Sequence, residues 1–392
     1  MSLQREPAVD RFDVRHPPDD PWEALADLRD RAALVRFPDA GSSALLRYEA
    51  VREAFAAPDR FSSRYNEKPD ADYSIVSSDP PEHTHQRKIL ARVLTPQRVT
   101  ALEPRIREIA DALVDELPER GPVEVMAAFG FLLPVTVLAE LLGVPDADRA
   151  QFKRWSDEQL AQSLGAGTSD EARAFKQWAL RQVERRRADG GPDDDLIGLL
   201  ALTEVDGTRL DAWEAASTLV LLVVAGHETT TNAIGNTIRL LLEEPGMRER
   251  LMVEPDLIPG FVEESLRLDP PVTALPRRTR CPVTVDGQEL EPGEVVLLHV
   301  GAANRDPAFA ADPDECVIGR TLPRPHLAFG YGIHLCLGAA LARAEIWIAV
   351  ETLLARLVGL RTVGDQVVEQ TPAYIFRGPQ RYLVDYDHRR DR

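Results

Sequence analysis

The sequence predicts a mainly α fold with minor β sheets, an α+β chain of one domain over residues 1–392. Three observations carry this expectation. From about residue 80 to 270, and again over 338–360, apolar residues recur at helical spacing, broken only at stretches such as LTPQ, PERGP and GVPD. Around 33–48, 283–300 and 370–386 the pattern changes to short alternating runs with turns, as in small sheets. No repeat and no Pro/Gly/Ser-rich linker divides the chain, whose 392 residues suit one large domain.

The elements follow in order. Residues 1–19 read as an irregular lead-in. In DPWEALADLRDR, Asp20 is the expected helix cap, with Pro21 at the first helical position and Glu23 reaching back. ALVRF and SSALLRY flank DAG as a hairpin. The longest helix begins at a cap box of Asp211 and Glu214 and stops at Pro245-Gly246. It is therefore roughly 33 residues and about 50 Å long. Its first half, STLVLLVVAG, is apolar all round, as in a buried helix, and its uncharged run is too short to span a bilayer.

Composition narrows the function classes. Apolar residues at 44% and charged residues at 28% are ordinary for a globular protein. Lys plus Arg at 46 against Asp plus Glu at 64 gives a net charge of −18, poorly suited to nucleic acid or an anionic membrane. The opening MSLQREPAVDRFDV has no apolar segment, so neither signal peptide nor anchor is expected. The 3 cysteines, Cys281, Cys316 and Cys336, exclude a disulfide framework and a four-ligand zinc site by number and spacing. A soluble, cytoplasmic protein is expected.

Two stretches carry chemistry. Within the apolar helix stand Gly226, His227, Glu228 and Thr229. A buried carboxylate costs several kcal/mol unless paired or hydrated, and a mid-helix glycine costs about 1 kcal/mol. Thr229 can bond the Ala225 carbonyl one turn back, so a locally opened helix is expected here. An acid beside an alcohol at such a place suits proton delivery. The second stretch is FGYGIHLCLG, Phe329 to Gly338. It sets Cys336 among glycines at the mouth of the helix begun by AALARAE, where free N–H groups and the helix dipole favour a thiolate. A cysteine protease is a poor reading, because His334 is badly placed as a base for Cys336.

FGYGIHLCLG resembles the haem-binding loop of the cytochrome P-450 family, with every fixed position filled. AGHETT, Ala225 to Thr230, is similar to that family's oxygen-activating segment. EESLR supplies its E-x-x-R pair as Glu264 and Arg267, and HTHQR its H-x-x-x-R as His83 and Arg87. The motifs occur in family order over roughly residues 20–385. The resemblance implies the P-450 fold, a triangular helical prism with a long central helix, and haem b as cofactor. Cys336 would be the axial iron ligand, with Phe329, Gly330 and Gly338 shaping its loop. His83, Arg87, Arg277 and His334 would meet the haem propionates, with Arg278 as competitor for Arg277. Ala225 and Gly226 would leave room for oxygen, and Glu228 and Thr229 would relay protons. Val224, Val272, Leu275 and Tyr374 to Phe376, including Ile375, would wall the substrate pocket. The short loop Arg64–Ser77 would be part of its lid.

The implied activity is insertion of one atom of O2 into a small apolar molecule. The electrons would come from a separate ferredoxin or flavin-type partner docking on the cysteine side, since the chain carries no flavin fingerprint. Six basic residues and one acid between Arg87 and Arg107 form either a docking patch or ordinary solvated helix faces. Alternatives are a P-450-like protein with other chemistry, or a haem sensor or carrier, which would need no proton relay. One departure stands out: DPDECVIGR has Glu315 and Cys316 where the family has an arginine and an aromatic. The expectation is that Arg320 or Arg324 substitutes, or that Glu315 pairs with Arg267.

Overall fold

Leu34–Phe37 and Ser42–Leu45, mostly buried, form the expected hairpin. In the computed structural model they pair antiparallel from Leu34↔Leu45 to Phe37↔Ser42, and Gly41 turns the chain at φ +60°. The structure describes residues 17–66, 74–144, 170–189, 195–371 and 375–392, with a few between 148 and 158. These fall into two compact units. Each is assembled from distant stretches of chain, which is why no linker is legible in the sequence.

One unit holds the described residues within Met1–Glu67, Asn232–Cys336 and Leu360–Asp385. Its five-stranded sheet runs in the order 34–37, 42–45, 295–298, 275–279, 61–62. The second and third strands are parallel (Ser43↔Val296), and the fourth pairs antiparallel with the third, setting Arg277 opposite Val296. Leu34, Leu45, Phe55, Phe61, Leu298 and Phe309 fill the core beside it, where Tyr48 and Phe309 stack at 3.9 Å. The Asp20 carboxylate accepts the Trp22 N–H at 3.2 Å, but helix Trp22–Arg31 has its cap one residue later than expected. Pro21, having no N–H to satisfy, occupies the cap position itself and not the first turn.

The other unit holds the described residues within Lys68–Thr231, Leu337–Gly359 and Tyr386–Arg392. Here helix Pro96–Asp115 packs against Ala339–Arg356, and Asp170–Asp189 against Leu196–Leu202. Phe152, Trp155, Phe175 and Trp178 form an aromatic cluster, with Trp155 and Phe175 stacked at 5.3 Å. Leu219 and Val223 of the long helix belong to the same core.

The long helix spans Ala212–Glu243, 32 residues. Its cap box forms as read: the Asp211 N–H donates to Glu214 at 2.8 Å and the Glu214 N–H to Asp211 at 2.7 Å. Residues up to Thr231 belong to one unit and those from Asn232 to the other.

Candidate active site

The cysteine loop is built by backbone geometry. Gly330 and Gly332 adopt φ +70° and +71°, and the loop tightens into a 3-10 turn at Gly332–His334. The Cys336 N–H donates to the Phe329 carbonyl at 2.9 Å, closing the loop around the cysteine. Gly338 is the N-cap of helix Ala339–Arg356, and its carbonyl accepts the Ala342 N–H at 2.9 Å. Cys336 is exposed, unlike a cysteine that merely fills a core. Nε2 of His334 meets the Ser63 hydroxyl at 2.9 Å.

Arg277 is 5% exposed and lies 5.4 Å over the Phe55 ring. Phe55 also presents its carbonyl to Gly332, so one residue supports both the buried arginine and the loop. Arg278 is committed elsewhere, donating to the carbonyls of Tyr65 (2.7 Å) and Gly293 (3.2 Å). An accessible sulfur, a loop with no side chain at its tightest points, and a buried guanidinium fit a haem thiolate site. Among the described residues no cluster of three or more His, Cys, Asp or Glu could hold a free metal ion instead.

In the other unit, His83 is buried and Arg87 half-buried on helix Glu82–Val93. The same unit holds Ala225 to Thr230. The expected local opening does not occur: the helix remains α through Gly226. Thr229 donates to the Ala225 carbonyl at 2.6 Å, adding a bond to the turn without displacing it. A Cβ on Gly226 would meet nothing nearer than Leu138 at 3.7 Å, so the glycine leaves free space. His227 is buried with its ring edge-on to Phe131 at 4.3 Å. Glu228 is 3% exposed, with both carboxyl oxygens unpartnered, and burial pushes its carboxyl up to about 7. A solvent-facing Glu228 is thereby excluded.

The departure at Glu315 is resolved by Arg320. Arg267, fully buried, pairs with Glu264 at 2.8 and 2.9 Å, and Arg320 adds a third contact to Glu264 at 3.3 Å. Burial raises the Glu264 carboxyl, but Arg267, the Val317 N–H and Arg320 outweigh it and hold the group below its ordinary value. Arg267 also donates to the carbonyls of Asn304 (3.2 Å), Pro313 (2.5 Å) and Glu315 (2.9 Å). Glu315 thus contributes its backbone, and its side chain is exposed. The expected pairing of its carboxylate with Arg267 is not made, because the polypeptide oxygen occupies that place. Arg324 pairs with Glu49 instead. Cys316 is half-buried, with a thiol pushed up to about 12 by burial, so it stays neutral.

Of the expected pocket walls, Val272 and Ile375 are brought together: Val272 bridges Phe376, and the Thr273 N–H donates to the Ile375 carbonyl at 2.9 Å. Leu275 packs on the core beside the sheet, and Val224 is half-buried on the long helix. Tyr374 and residues 67–73 of the expected lid lie outside the described residues. Three of the six residues of the basic run are paired with acids. Lys88 pairs with Asp206 at 2.7 Å, Arg105 with Glu140 at 2.6 Å and Glu108 at 2.7 Å, and Arg107 with Glu351 at 3.3 Å. Sequence reasoning missed Phe55 and Ser63, which carry no motif.

Comparison with known proteins agrees with this geometry. The family model described as Cytochrome P450 matches residues 162–375. The chain is 41% identical over 349 residues to a vitamin D(3) 25-hydroxylase of Pseudonocardia autotrophica, covering 86% of each chain. It is 40% identical to a mycinamicin IV hydroxylase/epoxidase of Micromonospora griseorubida, covering 78% of each. The solved structure of cytochrome P450 CYP109Q5 from Chondromyces apiculatus matches with a TM-score of 0.88 at 35% identity, over 94% of this chain and 96% of that one. CYP109E1 from Bacillus megaterium, solved with testosterone, matches with a TM-score of 0.87 at 32% identity, over 94% and 99%. No helix among the described residues is long and apolar enough to cross a membrane. The chain belongs to the cytochrome P450 family: it is a haem b monooxygenase that places one atom of O2 in an apolar organic substrate with electrons from a separate redox partner.

Proposed function

We propose that Cys336 is the thiolate ligand of the haem iron, and that Arg277, His334, His83 and Arg87 neutralise the haem propionates. The observation carrying this reading is the exposed Cys336 sulfur on a loop of left-handed glycines beside a buried, aromatic-backed Arg277. Bound haem supplies the redox chemistry that activates dioxygen. The chain's own part is proton supply and exclusion of water. Glu228, largely neutral below about pH 7, holds a proton on a carboxyl oxygen. The Thr229 hydroxyl, fixed on the Ala225 carbonyl, keeps its lone pairs free to accept a hydrogen bond. Ala225 and Gly226 leave the space, and Val224, Val272, Leu275 and Ile375 supply apolar walls.

The substrate is a multi-ring apolar compound of about steroid size, and the reaction is hydroxylation or epoxidation. The vitamin D(3) hydroxylase and the testosterone-bound structure among the similar proteins support the size, and the mycinamicin hydroxylase/epoxidase the reaction. The redox partner docks on the face carrying Cys336 and the exposed Leu335. Because three of the six residues of the basic run are already paired with acids, its reduction rate will depend only weakly on salt. A steep fall with ionic strength would instead restore the basic patch as the docking site. The 3 free cysteines suit a cytoplasmic setting.

The decisive experiment is the absorption spectrum of the dithionite-reduced protein with carbon monoxide. The long-wavelength Soret band of a thiolate-ligated haem is expected, and Cys336→Ser abolishes it. A shorter-wavelength band in the unmodified protein would overturn the assignment. Titration with testosterone and vitamin D(3), read as a spin-state shift, then tests the substrate class, and no shift with either removes it.

A further inference from the structure

A cavity of about 360 Å3 lies where the start of helix Trp22–Arg31 meets the last turns of the long helix. That volume falls among small-molecule pockets, about 300–1,000 Å3. Its lining residues all belong to one unit and include neither Cys336, nor Arg277, nor any of the apolar walls named for the substrate.

Charge in this cavity is graded with depth. Three guanidiniums line it, and the side chain of Arg377 is 8% exposed, that of Arg305 12% and that of Arg239 23%. Buried Asp269 answers them, but both its oxygens are taken, by Arg377 Nε at 2.7 Å and Arg239 at 2.6 Å. Donors are left over. Neither Nη of Arg377 has a partner among the described residues. Nor has Nη2 of Arg305, whose Nε and Nη1 go to the Leu268 carbonyl (3.0 Å) and Asp314 (2.6 Å). The Trp22 ring holds Arg305 at 4.3 Å and Arg377 at 5.3 Å, which fixes both guanidiniums in advance of a ligand. The other carboxylates on the lining stand toward solvent: Asp314, Asp19 and Asp20 are exposed and Glu244 half-buried. Oε1 of Gln370, on the same lining, is a buried acceptor without a partner.

Donors on a nearly buried guanidinium that open to a cavity are placed for an anion, and the two oxygens of a carboxylate match the planar Nη1–Nη2 edge of Arg377. A phosphate or polycarboxylate suits the cavity poorly, since each further negative charge would face the outer acids. Those same acids favour an ammonium group. We propose that this cavity binds a short zwitterionic peptide of apolar residues. Its C-terminal carboxylate sits on Arg377 and Arg305, and its N-terminal ammonium faces Asp19, Asp20 and Glu244. A peptide N–H reaches Gln370 Oε1, and the apolar side chains lie on Leu240, Leu268 and Val368.

The test needs no turnover. Titration calorimetry of the holoenzyme with leucyl-leucine is expected to show saturable binding. The haem Soret band should not move, because Cys336 and its loop are not on the lining. N-acetyl-leucyl-leucine and leucyl-leucine amide each lack one end charge and are expected to bind about tenfold or more weakly. Leucyl-leucine should lose as much on Arg305→Met. Val368→Trp, which fills the cavity and leaves every ion pair in place, should abolish binding. Absence of saturable heat, or equal binding of the three peptides, overturns the proposal. So does binding that moves the Soret band and survives Val368→Trp, which would put the peptide over the haem. Equal competition by inorganic phosphate would assign the arginines to a simple anion and overturn it too. Should Arg305→Met not fold, the capped peptides test the same charges on the unmodified protein.

Discussion

The carbonyl oxygen of Phe55 lies 2.6 Å from where a Cβ on Gly332 would stand, so the cysteine loop closes directly on the backbone of helix Tyr48–Ala56. Gly330 shares the left-handed conformation, but its nearest neighbour would be 3.7 Å away. The two glycines are therefore constrained differently. Gly330→Ala should lose only the dihedral term, about 1–2 kcal/mol. Gly332→Ala must also push apart two backbones, and should lose clearly more stability together with haem. Urea unfolding and haem absorbance per mole of protein check this; equal losses would contradict it.

Arg320 makes Glu264 a carboxylate held by two guanidiniums in a buried site. Removing one partner leaves charge less compensated, so Arg320→Met should destabilise by about 3 kcal/mol. Glu315→Arg changes an exposed side chain and should stay within about 0.5 kcal/mol. Denaturant midpoints of the two variants measure the contrast, and a large loss in Glu315→Arg would show that its carboxylate has a role.

Arg277 and Arg278 are neighbours in sequence with opposite surroundings. Arg277→Leu should weaken haem retention about tenfold or more, because a buried guanidinium leaves the site. Arg278→Leu removes hydrogen bonds to two carbonyls and should lower stability by about 1 kcal/mol with haem affinity unchanged. Haem transfer to apomyoglobin reads both variants, and faster loss from Arg278→Leu alone would reverse the assignment.

Glu228 links stability to pH. Its carboxyl is raised from 4.5 to about 7, so between those values the folded state keeps a proton that the unfolded state releases. This contribution is fully present below pH 4.5 and is lost as pH rises through about 7. The total is about 3 kcal/mol. Glu228→Gln cannot ionise and should lack that slope, gaining on the unmodified protein as pH rises. Urea unfolding at acid and mildly alkaline pH checks it, and parallel pH dependences would contradict the burial of a neutral carboxyl.

Much of the site was legible in residue order, because its chemistry depends on local spacing. The glycines around Cys336, the Asp211–Glu214 box, the Thr229 bond to Ala225 and the Glu264–Arg267 pair all lie within one or two turns of chain, where backbone geometry alone determines who meets whom. The family resemblance rests on those same short motifs. The helix through Gly226 was misread because one glycine and one threonine weaken a helix by little compared with the core that holds it on both sides.

What residue order could not determine was set by contacts between distant stretches. Arg320 rather than Glu315 completes the buried ion pair because an irregular loop folds back to place it there, and its spacing carries no period to read. Phe55 and Ser63 serve the cysteine loop from far earlier in the chain, and the division into two discontinuous units follows from the same long-range packing. The sequence by itself determined the chemistry available, through side chains at helical and loop spacing. Only the tertiary structure decided which groups lost their water, because burial belongs to the packed molecule and not to any segment. That desolvation is what turned Glu228 from an ordinary acid into one titrating near neutrality.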